Sequence, residues 1–256
     1  KKFLALTLAM ALGLGLTACG SNGANSSASG SNNDASNSSV DSSNAGEKKT
    51  LVLGTSADYP PFEFHILQDG QDTIVGIDVF VAQQIAEDMG AELEIVDMNF
   101  DNLLTLMAQG NCDMVLAAME SKPERLDAAD CSDPYYTDLP PVIVTKAENA
   151  SLYSSLEDFS GKTVGAQTAT TKADLISGEG AVMPGVNPML LTSVPELVNS
   201  LVYDKCDAVV LDAAVADKYV ETNDDLVILD NISLGEAAEP YRVWVAKGDP
   251  KGLMDS

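Results

Sequence analysis

One imidazole, His65, and four thiols, Cys19, Cys112, Cys131 and Cys206, are the whole stock of histidine and cysteine in this chain. They do not gather: the sequence contains no Cys-x-x-Cys and no Cys/His cluster. A zinc site, a Ser-His-Asp triad or a Cys-His pair therefore lacks the partners it needs. Without Cys19, three cysteines remain, an odd number that suggests no disulfide framework. Each reads as a small buried apolar side chain. Neither a metal nor a cofactor is expected. Carboxylate is the group in excess, with 39 Asp and Glu against 14 Lys and Arg and a net charge of -25. That balance argues against nucleic acid as a partner and against adsorption to anionic lipid.

Cys19 has a context of its own. Lys1-Lys2 is a basic head, residues 3–16 are an apolar run, and Leu16-Thr17-Ala18-Cys19 follows as a small-residue cleavage site. The run is short of the ~20 residues that span a bilayer. The chain begins without Met, so the initiator is expected to be absent from it. Leu-Thr-Ala-Cys resembles the bacterial lipobox, which implies lipidation of the Cys19 thiol. Residues 20–47 are almost entirely Ser, Asn, Gly, Ala and Asp. Such a segment cannot bury enough apolar surface to order itself. As a flexible tether it would span about 30 Å.

The body from residue 48 onward, about 200 residues, is long enough for a sizeable core. Leu51-Val52-Leu53-Gly54-Thr55 reads as a strand, residues 77–89 as a helix ended by Gly90, and 92–96 as a strand. Asp101 is placed to cap a helix running to Ala108, and 113–118 reads as a buried strand. The second half repeats the plan: strand 163–167, helix 171–176, extended 190–192, helix 194–203, strand 208–212, helix 213–220 and strand 226–229. Alternating strands and helices imply an α/β fold with parallel sheets. Residues 103–115 align with 197–209, both as helix, turn, Cys-Asp and apolar strand. The alignment sets Ala118 opposite Asp212, each at the carboxyl end of a central strand, where open α/β sheets bind ligands.

Several blocks resemble one family. Gly54-Thr55-Ser56-Ala57-Asp58-Tyr59-Pro60-Pro61-Phe62-Glu63-Phe64 precedes Val75-Gly76-Ile77-Asp78-Val79. Pro123-Glu124-Arg125 leads to Ser132-Asp133-Pro134-Tyr135-Tyr136, and later come Gly161-Lys162-Thr163-Val164-Gly165 and Glu239-Pro240-Tyr241. The ordered set, from Leu51 to Gly252, resembles the family 3 extracellular solute-binding proteins of polar amino-acid ABC importers. The resemblance implies a two-lobe, type II periplasmic-binding-protein-like fold. Each lobe would be a sheet flanked by helices, with two hinge strands between them. Lobe one would comprise residues 48–141 plus 242–256 and lobe two residues 142–241, with hinges near 139–142 and 236–241. Members continue with a C-terminal helix on lobe one, which a chain ending at Ser256 does not include.

The resemblance also implies a site. Arg125 matches the arginine that grips a ligand carboxylate, which suits the bidentate guanidinium. Backbone groups near Ala117 and Ala118, and Thr171 at a helix start, would serve the same carboxylate. Asp212 would hold the ammonium, unless it merely caps the following helix. Tyr59 and Phe100 would sandwich the side chain. Glu120 stands where relatives carry Ser or Thr, and either meets the ligand or faces solvent. Lys122, where relatives carry Thr, is placed to neutralise Glu120. Ser56 stands where relatives that bind basic ligands often carry Asp, and Gln167 reaches toward the pocket. Cys131 and the pair Arg242 and Trp244 depart from the family without an evident reason.

The implied activity is solute binding by hinge closure, with no chemical change. Its partners would be an amino-acid ligand and, in the membrane, an ABC permease with its ATPase. A monomer is expected, outside the cytoplasm and lipid-anchored at the cell surface or in the periplasm. Two alternatives share the fold. A dehydratase acting on prephenate-like acids would need a general acid or base in the cleft, for which Glu120 is the candidate. A sensor would report its ligand to a signalling partner.

Overall fold

A computed structural model describes residues 49–254. The expected signal segment, Cys19 and the 20–47 tether lie outside those residues.

The first half of the body builds one sheet with a small hairpin beside it. Its elements are β1 (Lys49–Thr55), β2 (Asp58–Tyr59), β3 (Glu63–Gln68), β4 (Gln71–Val75), α1 (Ile77–Asp88), β5 (Ala91–Asp97), α2 (Leu103–Ala108), β6 (Met114–Val115), α3 (Pro123–Ala128) and β7 (Ala129–Thr137). The second half contributes β8 (Val142–Lys146), β9 (Thr163–Gln167), α4 (Thr171–Ile176), β10 (Asn187–Leu191), α5 (Val194–Val202), β11 (Ala208–Leu211), α6 (Ala213–Thr222) and β12 (Leu226–Ile228). β13 (Pro240–Ala246) returns to the first sheet.

The first sheet runs β5-β1-β6-β13-β7, with β1 parallel to both β5 and β6 and β13 antiparallel to its neighbours. The second runs β10-β9-β11-β8-β12, with β9 parallel to β10 and β11 and β8 antiparallel on the other side. We call each sheet with its helices a lobe. The chain passes between lobes twice, after Thr137 and before Pro240. Pro240 and Tyr241 pair with Thr137 and Tyr136 inside the first sheet.

Burial explains these elements. α5 buries Val194, Leu197, Val198 and Leu201, the spacing of one helical face, and Ser193 caps it by accepting from the Glu196 amide. Each such side chain contributes roughly 1.5–3 kcal/mol by leaving water. Phe62, Tyr136 and Tyr241 meet at the crossing, with ring centroids 5.0, 5.1 and 5.6 Å apart. They join an apolar cluster with Val144, Leu197, Leu211 and Val215 of the second lobe. The lobes thus share a packed seam beside the cleft. Gly76 opens α1 at φ 134°, where an added Cβ would lie 2.1 Å from the Phe62 carbonyl oxygen. Only glycine fits there.

Two expectations need correction. Asp101 does not cap α2: it lies inside a 3-10 turn, Phe100–Asn102, and α2 starts without a side-chain cap. That turn lets Phe100 tuck inward. The buried strand expected over 113–118 is only Met114–Val115, because Ala117 and Ala118 turn away to line the cleft, Ala118 at φ 45°, while Leu116 stays packed in the core.

Candidate functional site

The ends of β1, β9 and β11 point at one another across the lobes. Where those strands stop, Ser56, Asp58, Tyr59, Glu63, Phe100, Ala117, Ala118 and Glu120 from lobe one face Gln167, Thr170, Lys172 and Asp212 from lobe two. The free space among them is about 10 Å³, room for about one water molecule. Two non-glycine residues beside it take the left-handed conformation, Ala118 at φ 45° and Ala169 at φ 63°. Alanine is costly there, by roughly 1–2 kcal/mol, and such strain concentrates at binding sites.

Lys172 sits at the centre. It is 4% exposed, and its ammonium donates to Glu120 Oε1 at 2.5 Å and to Asp212 Oδ2 at 2.8 Å. Asp212 Oδ2 also accepts the Tyr59 hydroxyl at 2.6 Å, and Glu120 Oε1 accepts the Thr171 hydroxyl at 3.0 Å. Glu120 and Tyr59 belong to one lobe and Lys172, Thr171 and Asp212 to the other, so three of these four bonds cross the cleft. Burial by itself would raise the Glu120 carboxyl, but the Lys172 ammonium, the Arg125 guanidinium and the Thr171 hydroxyl outweigh it and hold the group below its ordinary value. Burial would likewise lower the Lys172 ammonium, yet Asp212 and Glu120 raise it. Burial raises Asp212 against the pull of Lys172, with Glu120 adding to the rise.

α4 places Lys172. Thr170 caps that helix: its hydroxyl donates to the Gln167 carbonyl at 2.7 Å and accepts from the Ala173 amide at 3.1 Å. The cap fixes the first turn, and the second helical residue, Lys172, then projects into the cleft. Asp212 precedes α6 but makes no side-chain cap. Its carboxylate is committed to Lys172 and Tyr59.

Arg125, on α3, is 8% exposed and packs 5.2 Å over the Phe100 ring. It donates to the Glu120 carbonyl at 2.6 Å and, across the cleft, to the Ala169 carbonyl at 2.8 Å. Its guanidinium is 3.7 Å from Glu120 Oε2. Arg125 and Thr171 flank this cavity rather than line it. The Ala118 amide, expected to face a ligand, donates instead to Asp78 Oδ2 at 2.8 Å. Gln167 lines the cavity and donates to the Thr192 carbonyl at 3.0 Å. Lys122 does not neutralise Glu120. Lys172 holds that place, and Lys122 reaches the Asp174 carboxylate at the rim. Trp244, fully buried, donates from Nε1 to the Met119 carbonyl at 3.1 Å and so braces the segment that carries Glu120. The Arg242 guanidinium donates to the Ser132 carbonyl at 2.7 Å. Cys112 and Cys206 are buried thiols whose pKa burial pushes up to about 11 and about 12.

Sequence reasoning missed Lys172, Asp58, Glu63 and Thr170. Glu63 is 1% exposed, and neither of its carboxyl oxygens has a donor. Burial first, and then the neighbouring Asp78 carboxylate, raise it far above the ordinary range, so it keeps its proton. Asp58 accepts the Val194 amide across the cleft at 3.0 Å through Oδ2, while Oδ1 is buried without a partner.

Residues 51–255 match the family model for bacterial extracellular solute-binding proteins, family 3. The chain belongs to that family. It is therefore a solute-binding protein that works outside the cytoplasm. The chain is similar to the arginine-binding extracellular protein ArtP of Bacillus subtilis (strain 168), 37% identical over 88% of this chain and 78% of that one. Among solved structures it resembles an amino acid ABC transporter substrate-binding protein, AbpA, from Streptococcus pneumoniae Canada MDR_19A, bound to L-arginine. The TM-score is 0.75 at 30% identity, over 80% of this chain and 84% of that one. It also resembles the ancestral amino acid-binding protein AncCDT-1, a precursor of cyclohexadienyl dehydratase, with a TM-score of 0.70 at 31% identity over 80% and 85%. The architecture is the type II periplasmic-binding fold of these neighbours.

Proposed function

We propose that the protein is the solute-binding component of an ABC importer and captures a polar or cationic amino acid, with arginine the leading candidate, by closing its lobes. The observation that carries the preference is the cavity's charge. Asp58, Glu120 and Asp212 line it as carboxylates, against one lining cation, Lys172, while Glu63 lines it with its proton in place. Asp58 bears on the choice of solute. Ser56 lacks the carboxylate that relatives of basic specificity often carry, but Asp58, two residues on, offers a buried oxygen with no partner. In this reading Arg125 and Thr171 take the solute carboxylate, Asp212 takes its ammonium, and Tyr59 and Phe100 flank its side chain. Ser56, Gln167 and the Ala117-Ala118 backbone complete the wall. The loaded protein docks as a monomer on a permease and its ATPase, held to the membrane by lipid on Cys19. The dehydratase alternative needs Glu120 as proton donor, and the Lys172 ammonium that keeps Glu120 ionised disfavours it.

A thermal-shift screen of the purified protein against the twenty amino acids tests this. A solute at 100 times its Kd adds about 2.7 kcal/mol. For a body of this size that is a rise of roughly 5–10 °C. One or two hits among Arg, Lys, His and Gln are expected. A folded protein whose Tm moves with none of the twenty would refute the amino-acid assignment.

A further inference from the structure

The carboxylate and the ammonium that meet in the cleft come from the chain itself. Glu120 presents a carboxylate to Arg125, at 3.7 Å, and to the Thr171 hydroxyl, at 3.0 Å. Those are the two residues assigned above to a solute carboxylate, Arg125 through its guanidinium and Thr171 through its amide at the helix start. Lys172 presents an ammonium to Asp212 at 2.8 Å, the group assigned to a solute ammonium. The two charged ends touch each other at 2.5 Å. An amino acid's head group offers the same pair of charges side by side. Glu120 and Lys172 are each about 4% exposed, and the cavity they leave has about 10 Å³ free. Solute and side chains therefore cannot share the closed site.

We propose that Glu120 and Lys172 act as a built-in pseudo-ligand: they fill the amino-acid head-group site, hold the lobes closed without solute, and must be displaced before solute binds. This rests on the amino-acid reading for the identity of the groups being mimicked. The closure itself does not depend on it. Glu120 comes from lobe one and Lys172 from lobe two, so their contact forms only when the lobes meet. Arg125 to Ala169, Tyr59 to Asp212, Asp58 to Val194 and Lys122 to Asp174 cross the cleft in the same closed form. When the lobes part, Lys172 can stay with Asp212 on its own lobe and shield that carboxylate from an arriving ammonium. A solute thus competes twice, once for Asp212 and once against closure. Its apparent affinity falls in proportion to the fraction of protein in the competent state. The pair sets the concentration at which the receptor loads.

The test uses the whole protein, freed of carried solute by unfolding in guanidinium and refolding. Small-angle scattering is recorded with and without L-arginine for the wild type and for the doubly neutral variant Glu120→Gln/Lys172→Met, and arginine affinity is measured by calorimetry. The ligand-free wild type is expected to scatter as the closed form and to change little on adding arginine. The variant is expected to scatter as a more open particle, to contract on arginine, and to bind it at least tenfold more tightly. A ligand-free wild type that is open overturns the proposal, and this holds even if the variant does not fold. A folded variant that stays closed, or that binds arginine measurably but no more tightly than the wild type does, also overturns it. A closed wild type and an open variant that both fail to bind arginine would uphold the latch and overturn arginine as the solute.

Discussion

Tyr59→Phe removes one oxygen from the cleft and leaves the ring in place. The hydroxyl donates to Asp212 Oδ2 at 2.6 Å, from lobe one to lobe two, with both residues buried. Burial and the Asp212 charge both push the phenol's pKa well up, so it remains a donor across the working pH range. A hydrogen bond to a charged group contributes about 1.5–3 kcal/mol. Since roughly 1.4 kcal/mol is a factor of ten, its loss should shift the closed-to-open equilibrium by about 10- to 150-fold. The bond exists only between lobes, so neither lobe's own fold should weaken. Amide hydrogen exchange separates the two effects. The Val194 amide donates across the cleft to Asp58, whereas Val209 lies within β11, paired on both sides. In the ligand-free variant, exchange at Val194 should accelerate by that factor while Val209 keeps its wild-type rate. Unchanged exchange at Val194 would refute the claim that this bond holds the lobes together. Equal acceleration at both amides would show that the hydroxyl supports the fold and not the closure.

Three further outcomes are expected. Glu63→Gln should stabilise the protein at neutral pH. The folded state keeps the Glu63 proton while the unfolded chain releases it above about pH 4.3, so wild-type stability falls as pH rises through that window toward the raised folded value. Urea titrations should show the variant's advantage at pH 7 and none at pH 4, and an advantage independent of pH would contradict this. Gly76→Ala should cost at least about 3 kcal/mol by urea midpoint, because the new Cβ meets the Phe62 carbonyl oxygen at 2.1 Å in a conformation that side chains avoid. A shift below 1 kcal/mol would show that the α1 start relaxes freely. Arg125→Ala should weaken arginine binding by roughly 30-fold or more, the loss of a buried charge partner being worth about 2–5 kcal/mol. Calorimetry reading an unchanged Kd would remove Arg125 from the site.

The elements that were legible bury one face or a whole strand. The apolar runs of β9 and β11 and the helical spacing of α5 announce themselves because burial dictates residue type there. The β3–β4 hairpin was not legible. Its alternation is brief, Phe64 and Ile66 beside Glu63 and His65, and Gln71-Asp72-Thr73 in β4 gives none, so the stronger signal lay in its turn, Asp69-Gly70, both residues at positive φ. β7, with Asp130, Ser132, Asp133 and Pro134, reads as a loop. It is an edge strand, and its partner β13 arrives more than a hundred residues later. In the site, the residues matched to the family fall around one cleft. Lys172 was not foreseen because nothing local distinguishes a lysine aimed into a cleft from one aimed at solvent. Only the helix start fixed by Thr170, together with two carboxylates from distant segments, makes its burial tolerable. The assignment of Lys122 to Glu120 failed for the same reason, since proximity in sequence said nothing about a second lysine fifty residues on.

The most direct measurement titrates L-arginine into the refolded protein in a calorimeter and then recovers the solute for mass analysis. Saturable binding of one arginine per chain, with the arginine returned unaltered, is the expected result. Absence of binding by a folded protein, or recovery of a chemically changed product, would contradict a receptor that closes on arginine and releases it intact.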